Sequence, residues 1–192
     1  MTDGSIRPAE TWLRGNLRPV VWLGAAGLAV AGAVLAAVAA VAMSPAGWLL
    51  AAAVWLAGVL AVGLLARAAA LPRLERRGDV LRIRLSPGTT EDVPLQVVEC
   101  FFPGSNPISR AGEPTCGSHA AFRVNTLVMR LAERAVDQAA RPTFTPWGTW
   151  DDGYVIFDGR WCEPLSPALA RALGHRLIEA KRSPASGCGG TA

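Results

Sequence analysis

Residues 19–67 read PVVWLGAAGLAVAGAVLAAVAAVAMSPAGWLLAAAVWLAGVLAVGLLAR, with no charged side chain between Pro19 and Arg67. A Ser44-Pro45-Ala46-Gly47 turn breaks the stretch near its middle. It leaves one apolar segment from Val20 to Met43 and a second from Trp48 to Ala66. About 20 helical residues, each rising 1.5 Å, cross the roughly 30 Å hydrocarbon core of a bilayer, so both segments are long enough. Neither has a polar face, which a surface helix of a soluble protein needs. Residues 20–66 therefore read as a transmembrane helical hairpin. Ala40-Val41-Ala42 has the small-residue form of a signal-peptide cleavage site. The apolar run before it is longer than the roughly 7–15 residues of such a signal, and a second apolar segment follows directly, which argues for an uncleaved hairpin.

Flanking charge gives the expected orientation. Arg7, Arg14 and Arg18 precede the first segment; Arg67, Arg73, Arg76 and Arg77 follow the second; the turn between them has no charge. The positive-inside rule then predicts a multi-pass inner-membrane protein with both termini in the cytoplasm. Trp22 and Trp48, each opening a segment, suit the membrane interface. No ionisable group lies within either span, so a transport or proton-relay role is not expected. Gly24, Gly27 and Gly32 allow close helix approach, as in Gly27-x-x-x-Ala31 and Gly32-x-x-x-Ala36. The tethered second segment is the nearest surface for them. The expected partners are the lipid bilayer and, through the Ala/Gly-rich helix, a membrane-protein partner or a second copy of the chain.

The 192 residues leave room for one small folded domain beside the hairpin. The expected layout is a cytoplasmic N-terminal segment (1–19), the hairpin (20–66), a basic connector (67–77), a β-rich domain (78–182) and a disordered tail (183–192). Net charge is +4, and after the first 19 residues 16 basic residues face 13 acidic ones. That bias is too small to argue for nucleic acid. Of the basic residues only Lys181 is lysine, and the chain is rich in Ala, Gly and Pro. This composition points to a GC-rich bacterial genome.

Period-2 patterns follow Gly78. Leu81, Ile83 and Leu85 share one face while Arg82 and Arg84 share the other. From Asp92 to Phe102 the phase changes, Val93, Leu95 and Val97 giving way to Val98, Cys100 and Phe102. A β-bulge or a break into two strands produces such a change. Phe122–Leu131 reads as a further strand with Leu127, Met129 and Leu131 inward, and Tyr154–Cys162 as another carrying Val155, Phe157 and Trp161. Pro103–Ala120 and Glu133–Gly153 read as long loops. Ser166 caps a final helix with Pro167 in its first turn. Its predicted apolar stripe is Leu169, Leu173 and Leu177 with Ala172 and Ile178; Arg171, Arg176, Lys181 and Arg182 face elsewhere, and Pro184 stops the helix. The fold class is a membrane α-helical hairpin plus an α+β domain, a small antiparallel sheet or partly open barrel closed by one C-terminal amphipathic helix.

A two-helix hairpin, a basic connector, strands such as GDVLRIRL and DVPLQVVECFF and a closing helix resemble in layout the bacterial pleckstrin-homology-like membrane proteins. That fold has seven strands, of which four or five are readable here. The resemblance implies ligand or peptide binding and no catalysis.

Few motifs carry chemistry. Cys116-x-x-His119 has the spacing of half a zinc site and would need Cys100 or Cys162 to converge on it. Those two lie in apolar strands, where cysteine behaves as a small buried hydrophobe, and a reducing cytoplasm disfavours disulfides. Asp151, Asp152 and Asp158 could bind a divalent cation or act as acid and base, but Asp-Asp-Gly and Asp-Gly are also ordinary turn sequences. There is no Gly-Xaa-Ser-Xaa-Gly elbow, P-loop or Rossmann fingerprint, and no cofactor is expected. Phe144, Trp147, Trp150 and Tyr154 crowd the second long loop, and such clusters form binding surfaces, lids or membrane-interface contacts. They are the candidate binding surface. The reading is a non-catalytic cytoplasmic adaptor or ligand-binding module on a membrane tether. The alternatives are a metal-dependent membrane enzyme using Asp151, Asp152, Cys116 and His119, and a structural subunit of a larger membrane complex.

Overall fold

A computed structural model of the chain describes residues 9–42, 44–107 and 123–182. Two compact units emerge. One is Asn16–Leu71; the other combines Met1–Gly15 with Pro72–Ala192.

The first unit is a pair of helices, α1 (Arg18–Ala42) and α2 (Pro45–Ala70). Ser44 caps α2, its Oγ accepting from Gly47 N at 3.1 Å, and Pro45 fits the first turn, where no N–H is needed. Both helices are long and apolar enough to cross a membrane. Their large apolar side chains are mostly exposed, including Trp22, Leu23, Leu49 and Leu50. The helices meet through small residues. A Cβ on Gly24 would come within 2.5 Å of Val62, one on Gly32 within 3.0 Å of the Trp55 indole nitrogen, and one on Gly58 within 3.2 Å of Leu28. Trp55 Nε1 donates to Leu28 O at 3.2 Å, giving an indole inside an apolar helix its acceptor. Gly27 has open space where its side chain would be, so the Gly27-x-x-x-Ala31 pair does not serve this packing.

The second unit is α+β, with two four-stranded antiparallel sheets. Sheet one orders β1 (Glu10–Leu13), β2 (Leu74–Arg77), β3 (Val80–Ile83) and β4 (Glu91–Pro94). Sheet two contains β5 (Val98–Pro107), β6 (Arg123–Leu131), β7 (Gly148–Asp151) and β8 (Tyr154–Asp158) in the order β5-β6-β8-β7. The break read at Val97–Val98 is where the chain changes sheets, through a 3-10 turn at Leu95–Val97. Helix α3 (Pro167–Arg182) packs on β5 and that turn. Leu13, Leu74, Leu81, Ile83, Val93, Met129, Val155, Phe157, Leu173 and Leu177 build one core between the sheets and α3.

Several expectations need correction. Residues 1–19 are not merely a segment before the hairpin: Glu10–Leu13 pairs with Leu74–Arg76, so the hairpin is an insertion between neighbouring strands of one sheet. The connector at 67–77 is not a connector either, since α2 runs to Ala70 and β2 starts at Leu74. Cys100 and Phe102 do not point inward. A register shift between Val98 and Cys100 turns the alternation over, so Phe101 is buried. On α3 the buried stripe is Ala170, Leu173, Leu177 and Ala180; Ala172 and Ile178 are exposed. Lys181 turns back to donate from Nζ to Val98 O at 2.6 Å, which ties the end of α3 to the start of β5.

Candidate functional site

The four aromatics of the candidate surface do not form one exposed face. Trp147 and Trp150 are buried, Phe144 is 39% exposed and Tyr154 is intermediate. The Glu133–Gly153 stretch is not a structureless loop. It contains a 3-10 turn at Val136–Gln138 and then β7, which sends Trp150 into the core. There Trp150 Nε1 donates to Gln138 O at 2.8 Å. Phe144 N donates to Leu85 O at 2.8 Å, laying the segment before Trp147 along the end of sheet one. Phe144 meets Trp147 edge-on, with centroids 5.6 Å apart and planes at 90°. Two of the four residues thus close the domain, and Phe144 and Tyr154 stay partly accessible.

Behind Trp147 lies a residue that the sequence reads as one of the connector arginines, setting topology or touching anionic lipid headgroups. Arg73 is 0% exposed, and its guanidinium carbon sits 3.5 Å from the Trp147 ring centroid. Its backbone continues β2, with Arg73 N donating to Leu13 O at 2.8 Å and Arg84 N donating to Arg73 O at 2.9 Å. Nε reaches Trp161 O at 3.5 Å, while Nη1 and Nη2 have no partner. The buried indole nitrogen of Trp147 also has none. Desolvation chiefly, with the positive charge of Arg84 acting in the same direction, lowers the Arg73 pKa to about 10; the group remains a cation at neutral pH. Two residues on, Glu75 accepts from Arg77 Nε at 2.8 Å and Arg84 Nη1 at 3.1 Å. The one carboxylate within β2 is therefore already shared by two other arginines. Nothing in LPRLERR distinguishes Arg73 from its neighbours, because its burial depends on a tryptophan 74 positions later.

The aspartates have structural duties. Asp152 and Gly153 form the two-residue turn between β7 and β8, both with positive φ (49° and 73°), as a type I′ hairpin requires. Asp151 Oδ1 accepts from Asp152 N at 3.0 Å within that turn. Asp158 is engaged by Arg160, whose Nη2 lies 2.7 Å from Oδ2. Among the described residues no three His, Cys, Asp or Glu side chains come together as metal ligands. Cys116, His119 and Cys188 lie outside the described residues, as does the 183–192 tail. Cys162 is buried and its thiol is pushed up to about 12 by desolvation, against the pull of the Arg73 charge. A cavity of about 70 Å³ lies beside Thr126 and the start of α3. It is well below the roughly 300 Å³ of a small-molecule pocket.

Comparison with known proteins finds no matching family model, no similar curated protein and no similar solved structure.

Proposed function

We propose that this chain is a bacterial inner-membrane protein in which a helical hairpin holds a non-catalytic, ligand-binding or adaptor β domain at the cytoplasmic face. The observation that carries this reading is the pairing of β1 with β2 on either side of the hairpin. Strands that share a sheet are on the same side of a membrane, so a hairpin inserted between them has both ends on that side. An even number of spans then follows. The arginine-rich flanks favour the cytoplasm as that side. The layout of two antiparallel sheets with a C-terminal helix supports the pleckstrin-homology-like reading. The eight described strands, rather than seven, and the strand placed before the hairpin depart from it. The metal-enzyme alternative loses support from Asp151, Asp152 and Asp158, whose carboxylates or backbone serve turns and an ion pair.

Thiol accessibility in a cysteine-free background tests the arrangement. A cysteine at Ala46 in the turn is expected to react with a membrane-impermeant maleimide in spheroplasts. Cysteines at Ala9 and Thr90 are expected to react only after permeabilisation. The opposite pattern, or labelling of Ala9 and Thr90 on different sides, overturns the proposal.

A further inference from the structure

We infer that Arg73 is the recognition group of an oxyanion site, its ligand a phosphate group, with Trp147 as the cover. The site rests on the ligand-binding reading above and gives that ligand a chemical class. Three buried donors meet here without an acceptor: Nη1 and Nη2 of Arg73 and Nε1 of Trp147. The terminal edge of the guanidinium is a two-pronged fork whose spacing matches two oxygens of a phosphate or carboxylate. Its third nitrogen, Nε, is turned away toward Trp161 O. The local charge is uncompensated, because Glu75 is taken by Arg77 and Arg84, and the neighbouring Cys162 is a buried thiol. A donor-only, positively charged cluster selects an anion over a neutral acceptor.

Access to the fork requires the cover to move. Trp147 is held over Arg73 by ring stacking and by its edge contact with Phe144, which is itself 39% exposed. The indole nitrogen has no hydrogen bond to break. Trp147 is itself only 1% exposed, so the site opens only when its ring swings out of the packing, a motion that leaves the backbone bond from Asp158 N to Trp147 O intact.

Position supplies the source. Arg73 follows the last residue of α2, Ala70, by three residues. A chain of that length reaches at most about 11 Å. If the hairpin spans the bilayer, Arg73 is within reach of the headgroup layer, where the phosphate belongs to a lipid. Free phosphate in the cytoplasm presents the same oxygens.

The test uses the full chain, delipidated in mild detergent, with tryptophan emission as the signal. One arm titrates inorganic phosphate; the other compares nanodiscs of phosphatidylglycerol with nanodiscs of phosphatidylcholine. A saturable change in emission in either arm is expected for the wild type and a smaller one for Trp147→Phe, which removes the tryptophan over the site and leaves six others. Arg73→Met keeps the length and loses the charge; it is expected to abolish saturable phosphate binding, measured calorimetrically, while its thermal midpoint stays equal or rises. Arg73→Lys, a charge without the fork, is expected to weaken binding roughly tenfold. A response to phosphate alone assigns a soluble anion, and a response to phosphatidylglycerol alone assigns a lipid headgroup. No saturable binding in either arm, or the same binding in Arg73→Met, overturns the site. Correct sided labelling of positions 46, 9 and 90 in spheroplasts would leave the tethered-domain reading standing in that case.

Discussion

Arg73 lies just before β2 and Glu75 within it, and their buried charges are treated differently. Glu75 has an acceptor role filled twice over. Desolvation pushes its carboxyl up, but hydrogen bonds from Arg77 and Arg84, with their charges, more than offset this and hold it below its usual value of 4.5. A depressed folded-state pKa adds stability above the unfolded value, and that contribution disappears as pH falls through the folded one. Wild-type protein should therefore lose thermal midpoint as pH falls below about 5, through the unfolded value and toward the lower folded one. Glu75→Gln should show a shallower loss over the same range and start about 3 kcal/mol less stable at pH 7, because the half-buried Arg84 would lose its counter-charge. Melts of the detergent-solubilised chain at four pH values measure both; a variant as stable as wild type at pH 7 would sink the argument. Cys162 gives a second residue-level expectation. With its thiol pushed up to about 12 by burial, a variant keeping it as the sole cysteine should resist iodoacetamide at pH 8 when folded and react fully in denaturant. The exposed Cys100 should react in both states.

At the scale of elements, the corrected face of α3 can be measured directly. Leu173 is 0% exposed and Ile178 is 48% exposed. Leu173→Ala should cost about 2–5 kcal/mol, through lost burial and the cavity left behind. Ile178→Ala should change stability by less than about 0.5 kcal/mol. Equal effects would restore the stripe read from spacing alone. In the hairpin, Gly24→Leu forces a side chain into Val62, whereas Gly27→Leu enters open space. The first should lower the thermal midpoint of the hairpin in detergent and the second leave it unchanged. These elements also show what could be read in advance. The apolar helices, the alternation of β3, β6 and β8 and the Ser166-Pro167 start of α3 are local signals, each carried by consecutive residues. The α3 stripe was misplaced because leucines at 169, 173 and 177 suggest one face, while the sheet accepts the small Ala170 and Ala180 on a slightly rotated one. Strand β2 was hidden by composition. Three of its four residues are charged, and Glu75 can be buried only because arginines from its own strand and beside β3 neutralise it. Trp147 and Trp150 stood among prolines and glycines, the signature of an exposed loop. Their burial depends on pairing with β8 and on the contact with Leu85, neither of which is visible locally.

For the whole molecule, the decisive feature is the strand that precedes the hairpin. Thr11 and Leu13 pair with Glu75 and Leu74, although about sixty residues separate the two strands along the chain. Trp12 and Leu13 are both almost wholly buried and belong to the domain core. Gly15 adds an isolated bridge to Cys162; Arg14 N donates to Glu163 Oε1 at 2.8 Å and Glu163 N donates to Arg14 O at 3.0 Å. A fragment beginning at Pro72 would therefore contain every later strand and α3 yet lack an edge strand and two core side chains. It should aggregate or melt without a cooperative transition. Antiparallel neighbours need only a short connection, about 2–5 residues, so the hairpin is not required to bring β1 to β2. Replacing residues 16–71 by a four-residue Gly/Ser loop should yield a soluble, cooperatively folding domain with dispersed amide resonances. Folding of the Pro72 fragment to the same stability would show that β1 is dispensable. Failure of the loop-closed chain to fold, with the full chain intact in detergent, would show that the membrane helices contribute more than a tether.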